Sequence, residues 1–351
     1  MLILLFIVTL VSTKDLLDLS LKYNDYLLQP SMELSASQKD MLYAEYNELY
    51  NKSSSIFRKK IFLSSVNTII KHNRNPENTW KMGLNKYSDM SFEEYEDKFL
   101  LKAEQNCSAT KGNHVLSGKD APDFVDWRLE GVVSGVKAQG HCGSCWTFSS
   151  TGCLEAHYRL YKKQPVLLSE QQLVDCAGDF DNHGCNGGLP SHAFEYLRYN
   201  GGIQSEETYP YKAVDQPCSF NPDLIVAKVP GGAVNITALD PIALRDAIAF
   251  KGPVSVAFQV TDDFRHYRSG IFSSTVCKDG AMDVNHAVLA VGYGTENDVP
   301  YYIIKNSHGL DFGENGYFRM VRGKNMCGIL NCCAYPNLEE ENEETIKVID
   351  V

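Results

Sequence analysis

The spacing of apolar and polar positions changes several times along the chain. Residues 1–11 are apolar apart from Thr9, a length that suits a secretory h-region and falls short of a bilayer span. A signal segment over 1–13 is therefore expected, cut near Ser12 or Thr13, although no charged n-region precedes it; a buried N-terminal strand is the alternative. Residues 14 to about 100 are polar, and apolar positions recur at helical spacing over 41–50 and 56–72. Ile61, Phe62, Ser65, Ile69 and His72 fall on one helical face. Residues 101–120 are small, polar and aperiodic, and read as an exposed linker open to proteolytic nicking.

Beyond Ala121 the first half predicts helices. One runs from Cys145 to about Tyr161 with Ser144 as N-cap, and Ser149, Ser150 and Gly152 allow a close neighbour. A second opens at Ser169, where Gln172 completes a capping box. A third spans 190–199 and stops at Asn200-Gly201-Gly202. The second half predicts a short helix with Asp240 as cap and Pro241 at its first position, ending at Gly252. Val254, Val256, Phe258 and Val260 then alternate as a half-buried strand would, and 287–291, 301–304 and 316–321 read as further strands. The class is α+β, a helical lobe beside a strand-rich one, with a ligand site at their junction. No internal repeat is present.

Length and charge narrow the choice. At 351 residues the chain suits two or three units, and a net charge of −11 with no basic block argues against a nucleic-acid partner. Eleven cysteines fit an oxidising compartment, and an odd count leaves at least one thiol free. Sequons at Asn51, Asn106 and Asn235 are compatible with secretion. The glutamates at 339–341 and 343–344 lie in an acidic tail, 337–351, that reads as a solvated end.

Candidate chemistry gathers at Gln139-Gly140-His141-Cys142-Gly143-Ser144-Cys145-Trp146. A thiol at a helix N-terminus meets unpaired N–H groups and the positive end of the helix dipole, both of which favour thiolate. Gln139 is placed to offer its side-chain amide as an oxyanion donor. Taken alone, the spacing of Cys142 and Cys145 fits a disulfide or half a zinc site as well. The string Cys142-Gly143-Ser144-Cys145-Trp146, however, resembles the signature of papain-like cysteine proteases, which carry histidine and asparagine roughly 130–150 residues downstream. The resemblance assigns Cys145, His286, Asn306 and Gln139 as catalytic positions. His286 opens a predicted strand and Asn306 ends the next. Cys145 and His286 are then expected to rest as thiolate and imidazolium. Gly187 and Gly188 match the stretch that pairs with substrate backbone, where a tight turn is the plainer reading.

The same resemblance implies a two-lobed papain-like fold, a helical lobe plus a β-barrel-like lobe, preceded by a helical inhibitory propeptide. Arg58, Phe62, Ile69 and Asn73 keep part of the propeptide's interrupted helix motif, and Gly83, Asn85, Tyr87 and Asp89 match its second motif. An ordinary helical subdomain is the alternative. The implied division is propeptide over 14–120, with the inhibitor domain at about 40–100 and a mini-chain at 103–110, then a mature domain over 121–351 starting near Ala121-Pro122-Asp123. Gln105-Asn106-Cys107-Ser108-Ala109-Thr110 resembles the retained mini-chain of the cathepsin H-like branch. This implies an aminopeptidase in which Thr110 supplies a carboxylate to the cleft. Implied disulfides are Cys142–Cys185, Cys176–Cys218, Cys277–Cys327 and Cys107 with Cys332, leaving Cys153 and Cys333. Cys107 is otherwise a propeptide cysteine lost on maturation. Implied partners are peptide and protein substrates, the chain's own propeptide and cystatin-like inhibitors. The protein is expected to be monomeric, in the secretory pathway and bound for a lysosome or the exterior, with no metal or organic cofactor. His308 departs from the family, which carries tryptophan there, and Phe312 replaces a second tryptophan. The alternatives are an endopeptidase of the same fold and a catalytically weak peptide-binding protein.

Overall fold

The computed structural model describes residues 34–103 and 112–339. The expected signal segment, Asn106, Cys107, Thr110 and most of the acidic tail lie outside these residues. No helix among the described residues is long and apolar enough to cross a membrane. The chain forms two compact units, one ending at Ser91 but including His266–Arg268, the other comprising Phe92–Arg265 and the chain from Ser269 onward.

In the first unit, α1 (Ala36–Leu49) starts earlier than apolar spacing alone predicts. Ser35 and Gln38 form a reciprocal capping box that fixes the start. α2 (Ile56–Arg74) buries Phe62, Ser65, Val66, Ile69, Ile70 and Asn73, whereas Ile61 and His72 are only half-buried. The following strand is β1 (Trp80–Met82). Asn73 clamps it through Nδ2 to the Met82 carbonyl and Oδ1 from the Met82 N–H, both at 2.9 Å. Asp89 accepts from Tyr46 Oη at 3.0 Å and from Lys52, while Arg58 reaches its carbonyl at 3.0 Å. The polar motif residues are thus the internal ties of a unit too small to rely on apolar burial alone.

The second unit begins with α3 (Phe92–Phe99) and β2 (Val125–Asp126). Three helices follow, α4 (Cys145–His157), α5 (Glu170–Cys176) and α6 (Pro190–Asn200). The remaining elements are β3 (Ile203–Gln204), β4 (Ile225–Ala227), β5 (Ala233–Asn235), α7 (Pro241–Phe250), β6 (Val254–Phe258), β7 (Tyr267–Phe272), β8 (His286–Glu296), β9 (Val299–Lys305), β10 (Tyr317–Val321) and β11 (Ala334–Pro336). Within this unit the sheet follows the open path β7-β10-β9-β8-β6-β11-β5, with β2 on β8 and β3–β4 as a separate pair. β7 and β10 run parallel, and the other neighbours antiparallel. Mixed helices beside an antiparallel-rich sheet make the α+β, two-lobed arrangement.

α4 packs against β8, as its small residues require. Ser149 Oγ donates to the Val288 carbonyl at 2.7 Å, and a Cβ on Gly152 would come within 3.3 Å of the Leu289 side chain. β6 is buried at every position because α4 covers its second face; Ser255 donates to the Ser149 carbonyl at 3.0 Å. The alternation of Val254 to Val260 therefore misreads a fully buried strand as half-buried. α4 also ends sooner than predicted, at His157, and a π-helical turn from Tyr158 to Lys162 carries the chain on. At α5 only half of the capping box forms. Ser169 Oγ accepts from Gln172 N at 2.9 Å, but the Gln172 side chain serves Tyr196, Gly202 and Gln204 instead. Asp240 caps α7 as expected, accepting from the Ile242 and Ala243 N–H groups at 2.9 Å.

The linker reading fails over 112–117. Asn113 and His114 donate their backbone N–H groups to the Asn235 carbonyl of β5 at 2.8 and 2.9 Å. The His114 side chain is fully covered, with Nδ1 at 2.9 Å from Tyr335 Oη and Nε2 at 3.1 Å from Asp246, which also receives the Ser117 N–H. Exposed polar composition hid one buried anchor. Burial holds the imidazole below its ordinary range, against the opposing pull of Asp246. The docked state therefore binds protons less readily than the released one: docking is complete above the usual histidine pKa of about 6.5 and weakens as pH falls below it. Cleavage within 115–120 in limited proteolysis is expected to accelerate from pH 7 to pH 5. His114→Ala, at a cost of about 1–3 kcal/mol, is expected to raise it several-fold at pH 7. Equal cleavage rates under all three conditions would contradict this anchoring.

Candidate active site

Cys145 is the first residue of α4 and is completely buried. Ser144 holds the N-cap position, but its hydroxyl contacts Tyr211 Oη at 2.5 Å rather than a helix N–H. The Thr147 N–H is taken by the Ser144 carbonyl at 2.8 Å, which leaves the Cys145 and Trp146 N–H groups to act on the sulfur. Sγ accepts from the Ala287 N–H at 3.3 Å, which brings it to the start of β8 beside His286.

His286 Nε2 lies 2.8 Å from Asn306 Oδ1, and the Ser307 N–H donates to the same oxygen at 2.8 Å. That oxygen can only accept, so Nε2 carries the proton and Nδ1 of the neutral ring is the basic nitrogen. Nδ1 is buried and has no hydrogen-bond partner among the described residues. Asn306 follows β9 directly, and its N–H is held by the Gly316 carbonyl at 3.0 Å. Gln139 is fixed from both sides: its N–H donates to the Ser307 carbonyl at 2.9 Å and Ser307 Oγ donates to its Oε1 at 2.6 Å. Its Nε2 is therefore aimed, not free to turn.

Gly187 and Gly188 follow a short 3₁₀ turn, and Gly187 has a φ of 130°. A Cβ on Gly188 would lie 2.7 Å from the Trp146 ring, so no side chain fits there. The tight-turn reading holds: the Gly187 N–H donates to the Gly184 carbonyl at 3.3 Å, its carbonyl accepts from the His183 N–H at 2.7 Å, and both glycines are buried. The bridges Cys142–Cys185, Cys176–Cys218 and Cys277–Cys327 are present, the first tying the loop before Cys145 to the turn before Gly187. Cys332 is disulfide-bonded, and the other end of its implied bridge lies outside the described residues. Cys153 and Cys333 are buried free thiols. Asn51 is exposed, whereas Asn235 is half-buried in β5.

The site is covered by a segment of its own unit. After α3 the Phe99 carbonyl accepts from Gln139 Nε2 at 2.8 Å, and the Leu101 N–H donates to the Asn285 carbonyl at 2.8 Å. Lys102 and Ala103 both donate to the Asn186 carbonyl at 2.9 Å. A Cβ on Gly143 would lie 2.7 Å from the Leu100 carbonyl, so glycine is what lets this segment lie so close. Tyr95 Oη meets His308 Nε2 at 2.6 Å. His308 in turn stands edge-on to His286, ring centroids 5.0 Å apart, and Phe312 backs it at 5.4 Å.

The sequence points to an inhibitory propeptide with its inhibitor domain at about 40–100 but does not identify which of its residues cover the site; a signal for them is the aromatic i, i+4 pair Tyr95 and Phe99 in an acidic helix. Nor does it reveal a buried ionic cluster behind α4. Lys137 pairs with Glu155 at 2.9 Å and Glu170 at 2.6 Å, and Lys305 lies close by. Burial raises Glu170 to about 7 and lowers Lys305 to about 8. These residues line a polar cavity of about 20 Å³ behind Asn306 and Ser307.

A helix-terminal thiol held against a strand-opening imidazole, itself oriented by an amide, defines a thiol hydrolase. Residues 121–337 match the papain family of cysteine proteases, and residues 43–95 match the cathepsin propeptide inhibitor domain. The chain is 54% identical over 280 residues to cysteine proteinase 3 of Solanum lycopersicum, covering 80% of this chain and 78% of that one. It is 50% identical over 293 residues to pro-cathepsin H of Mus musculus, covering 83% of this chain and 87% of that one. The digestive procathepsin L 3 of Tenebrio molitor superposes with a TM-score of 0.79 at 37% identity, covering 87% of this chain and 100% of that one. The chain belongs to the papain family of cysteine proteases. It is a zymogen of that family, carrying its inhibitory propeptide.

In this covered state burial works against the expected thiolate and imidazolium. Burial pushes the Cys145 thiol up to about 12, partly offset by backbone N–H groups. Burial also lowers His286 to about 4, against the hydrogen bond it donates to Asn306. Burial thus favours the neutral form of each group, since an ion pair here would lack solvating water. The sign for His286 is that of a depressed pKa. Relative to a solvated imidazole, which titrates near 6.5, the covered ring resists protonation, and the covered state weakens as pH falls from there toward 4. Labelling of Cys145 in the intact chain by 2,2′-dipyridyl disulfide, which reacts in acid, is therefore expected to be slow at pH 7 and to speed up on acidification. A rate unchanged across that range would contradict this coupling.

Proposed function

We propose that Cys145 is the nucleophile and His286 its base and later acid, with Asn306 orienting the ring. Gln139 Nε2 and the Cys145 N–H form the oxyanion hole. The observation that carries this reading is the continuous contact from Sγ to the start of β8 and on through His286 to Asn306. Once the cover leaves, water returns and the proton passes from sulfur to Nδ1. The thiolate attacks a peptide carbonyl, the oxyanion takes the Gln139 donor that Phe99 now occupies, and His286 protonates the leaving amine. Water, activated by His286, then attacks the thioester and releases the acyl product.

The reading extends to an aminopeptidase. The mini-chain around Gln105–Thr110 would be retained through Cys107 and Cys332, and Thr110 would carry a new carboxylate into the cleft. That charge blocks the acyl side beyond one residue and attracts a free α-amine. In support, Cys332 is bonded while the other described cysteines are paired elsewhere or free, and pro-cathepsin H is among the similar proteins. Gly187 and Gly188 would pair with substrate backbone. The mature domain would begin near Ala121. Secretory routing through the signal segment, with a lysosomal or extracellular destination, agrees with three well-formed bridges.

The activated enzyme is expected to hydrolyse free-amine fluorogenic substrates at least ~10-fold faster than N-blocked ones, a preference lost in Cys107→Ser as blocked substrates become accessible. Equal rates on both in the wild type would leave an endopeptidase. Cys145→Ser is expected to lower turnover at least ~10³-fold on either substrate.

A further inference from the structure

The covering segment marks out both ends of the cleft. Its Lys102 and Ala103 N–H groups bond Asn186, next to Gly187, and its Phe99 carbonyl sits on Gln139. Its Tyr95 lies at the far end, on His308. In the mechanism proposed above the acyl portion of a substrate lies toward Gly187 and Gly188. The leaving amine is therefore on the side of His286, which His308 flanks. Tyr95 thus fills the space that the leaving-group side of a substrate takes up after activation.

What fills that space is chemically specific. The Tyr95 ring is completely buried, and its hydroxyl contacts His308 Nε2 at 2.6 Å. His308 is itself 1% exposed and bounded by the rings of His286 and Phe312, which stay when the segment leaves. Arg265 is near enough for its charge to act on the phenol, but it is paired with Asp262 at 2.6 Å. Aromatic walls with one hydrogen-bonding nitrogen suit a phenol. A carboxylate would lose its water among rings, and a phenylalanine would leave the imidazole unmatched. The tryptophan usual at this position offers one donor and no acceptor.

We propose that His308 is a specificity-determining residue of the mature enzyme, selecting tyrosine on the leaving-group side of the scissile bond through the contact it makes with Tyr95 in the zymogen. The inference rests on the reading of Cys145 and His286 as the catalytic pair. The test uses activated enzyme and free-amine peptides that differ only in carrying Tyr, Phe or Glu at the first or second residue after the scissile bond. At one of these positions kcat/KM for Tyr is expected to exceed that for Phe about 3- to 10-fold, with Glu below both. The Tyr/Phe ratio is a comparison within one enzyme, so a general loss of activity in a variant cancels. It is expected to fall to about 1 in His308→Phe and to be partly kept in His308→Gln, which retains a hydrogen-bonding side chain. A wild-type ratio near 1 at both positions, a ratio undiminished in His308→Phe, or a preference for Glu overturns the proposal. Turnover of the Phe peptides, and its loss in Cys145→Ser, tests the catalytic pair separately. Their hydrolysis with no Tyr preference removes only the role of His308, whereas turnover that survives Cys145→Ser removes both.

Discussion

The rest of this structure depends on how closely α4 approaches β8. Serine and glycine on the helix let its backbone come near the strand, and hydroxyl-to-carbonyl bonds lock the two together. The proposed nucleophile and its proposed base are contributed one by each element, at adjoining ends. A bulkier residue at Ser149 or Gly152 would act on chemistry it never touches, by widening the seam. The buried Lys137, Glu155 and Glu170 cluster lies against the same helix, so its charges are paired where solvent cannot serve them.

The covered state explains how a reactive pair can be stored. Nothing about Cys145 or His286 is misplaced; the hydrogen bonds to Ala287 and Asn306 are already made. What is missing is solvent and an empty oxyanion position. The Phe99 carbonyl satisfies Gln139 much as a developing oxyanion would, and apolar burial favours the neutral form of both titrating groups. Inhibition here works through dielectric and occupancy rather than through distortion of the catalytic geometry.

Part of the site was legible in the chain because it is local. The string from Gln139 to Trp146 has a short-range cause, whereas His286 and Asn306 were reached through the family resemblance, since spacing cannot choose among nine histidines. Helix starts at Ser169 and Asp240, like that string, were legible from local residues. The rest was decided by long-range packing. β6 alternates in sequence yet is buried on both faces, because α4 lies over it. Gln172 abandons its capping role because three partners from elsewhere claim its amide. His114 sits in a stretch that composition marks as exposed, and only the folded positions of Asp246 and Tyr335 reveal an anchor. His308 was visible as an oddity, but its partner Tyr95 lies more than two hundred residues away.

The break between compact units falls at Ser91, ahead of the segment that closes the cleft. The plug and the socket therefore share one compact unit, and the helical lobe upstream belongs to the other. Trimming the chain at that junction would discard the lobe while leaving the plug seated by its own contacts to Gln139, Asn186 and Asn285. Unveiling the sulfur is then a matter of dislodging a dozen residues from within the catalytic body, and a shortened precursor can persist in silence after its largest accessory part has gone.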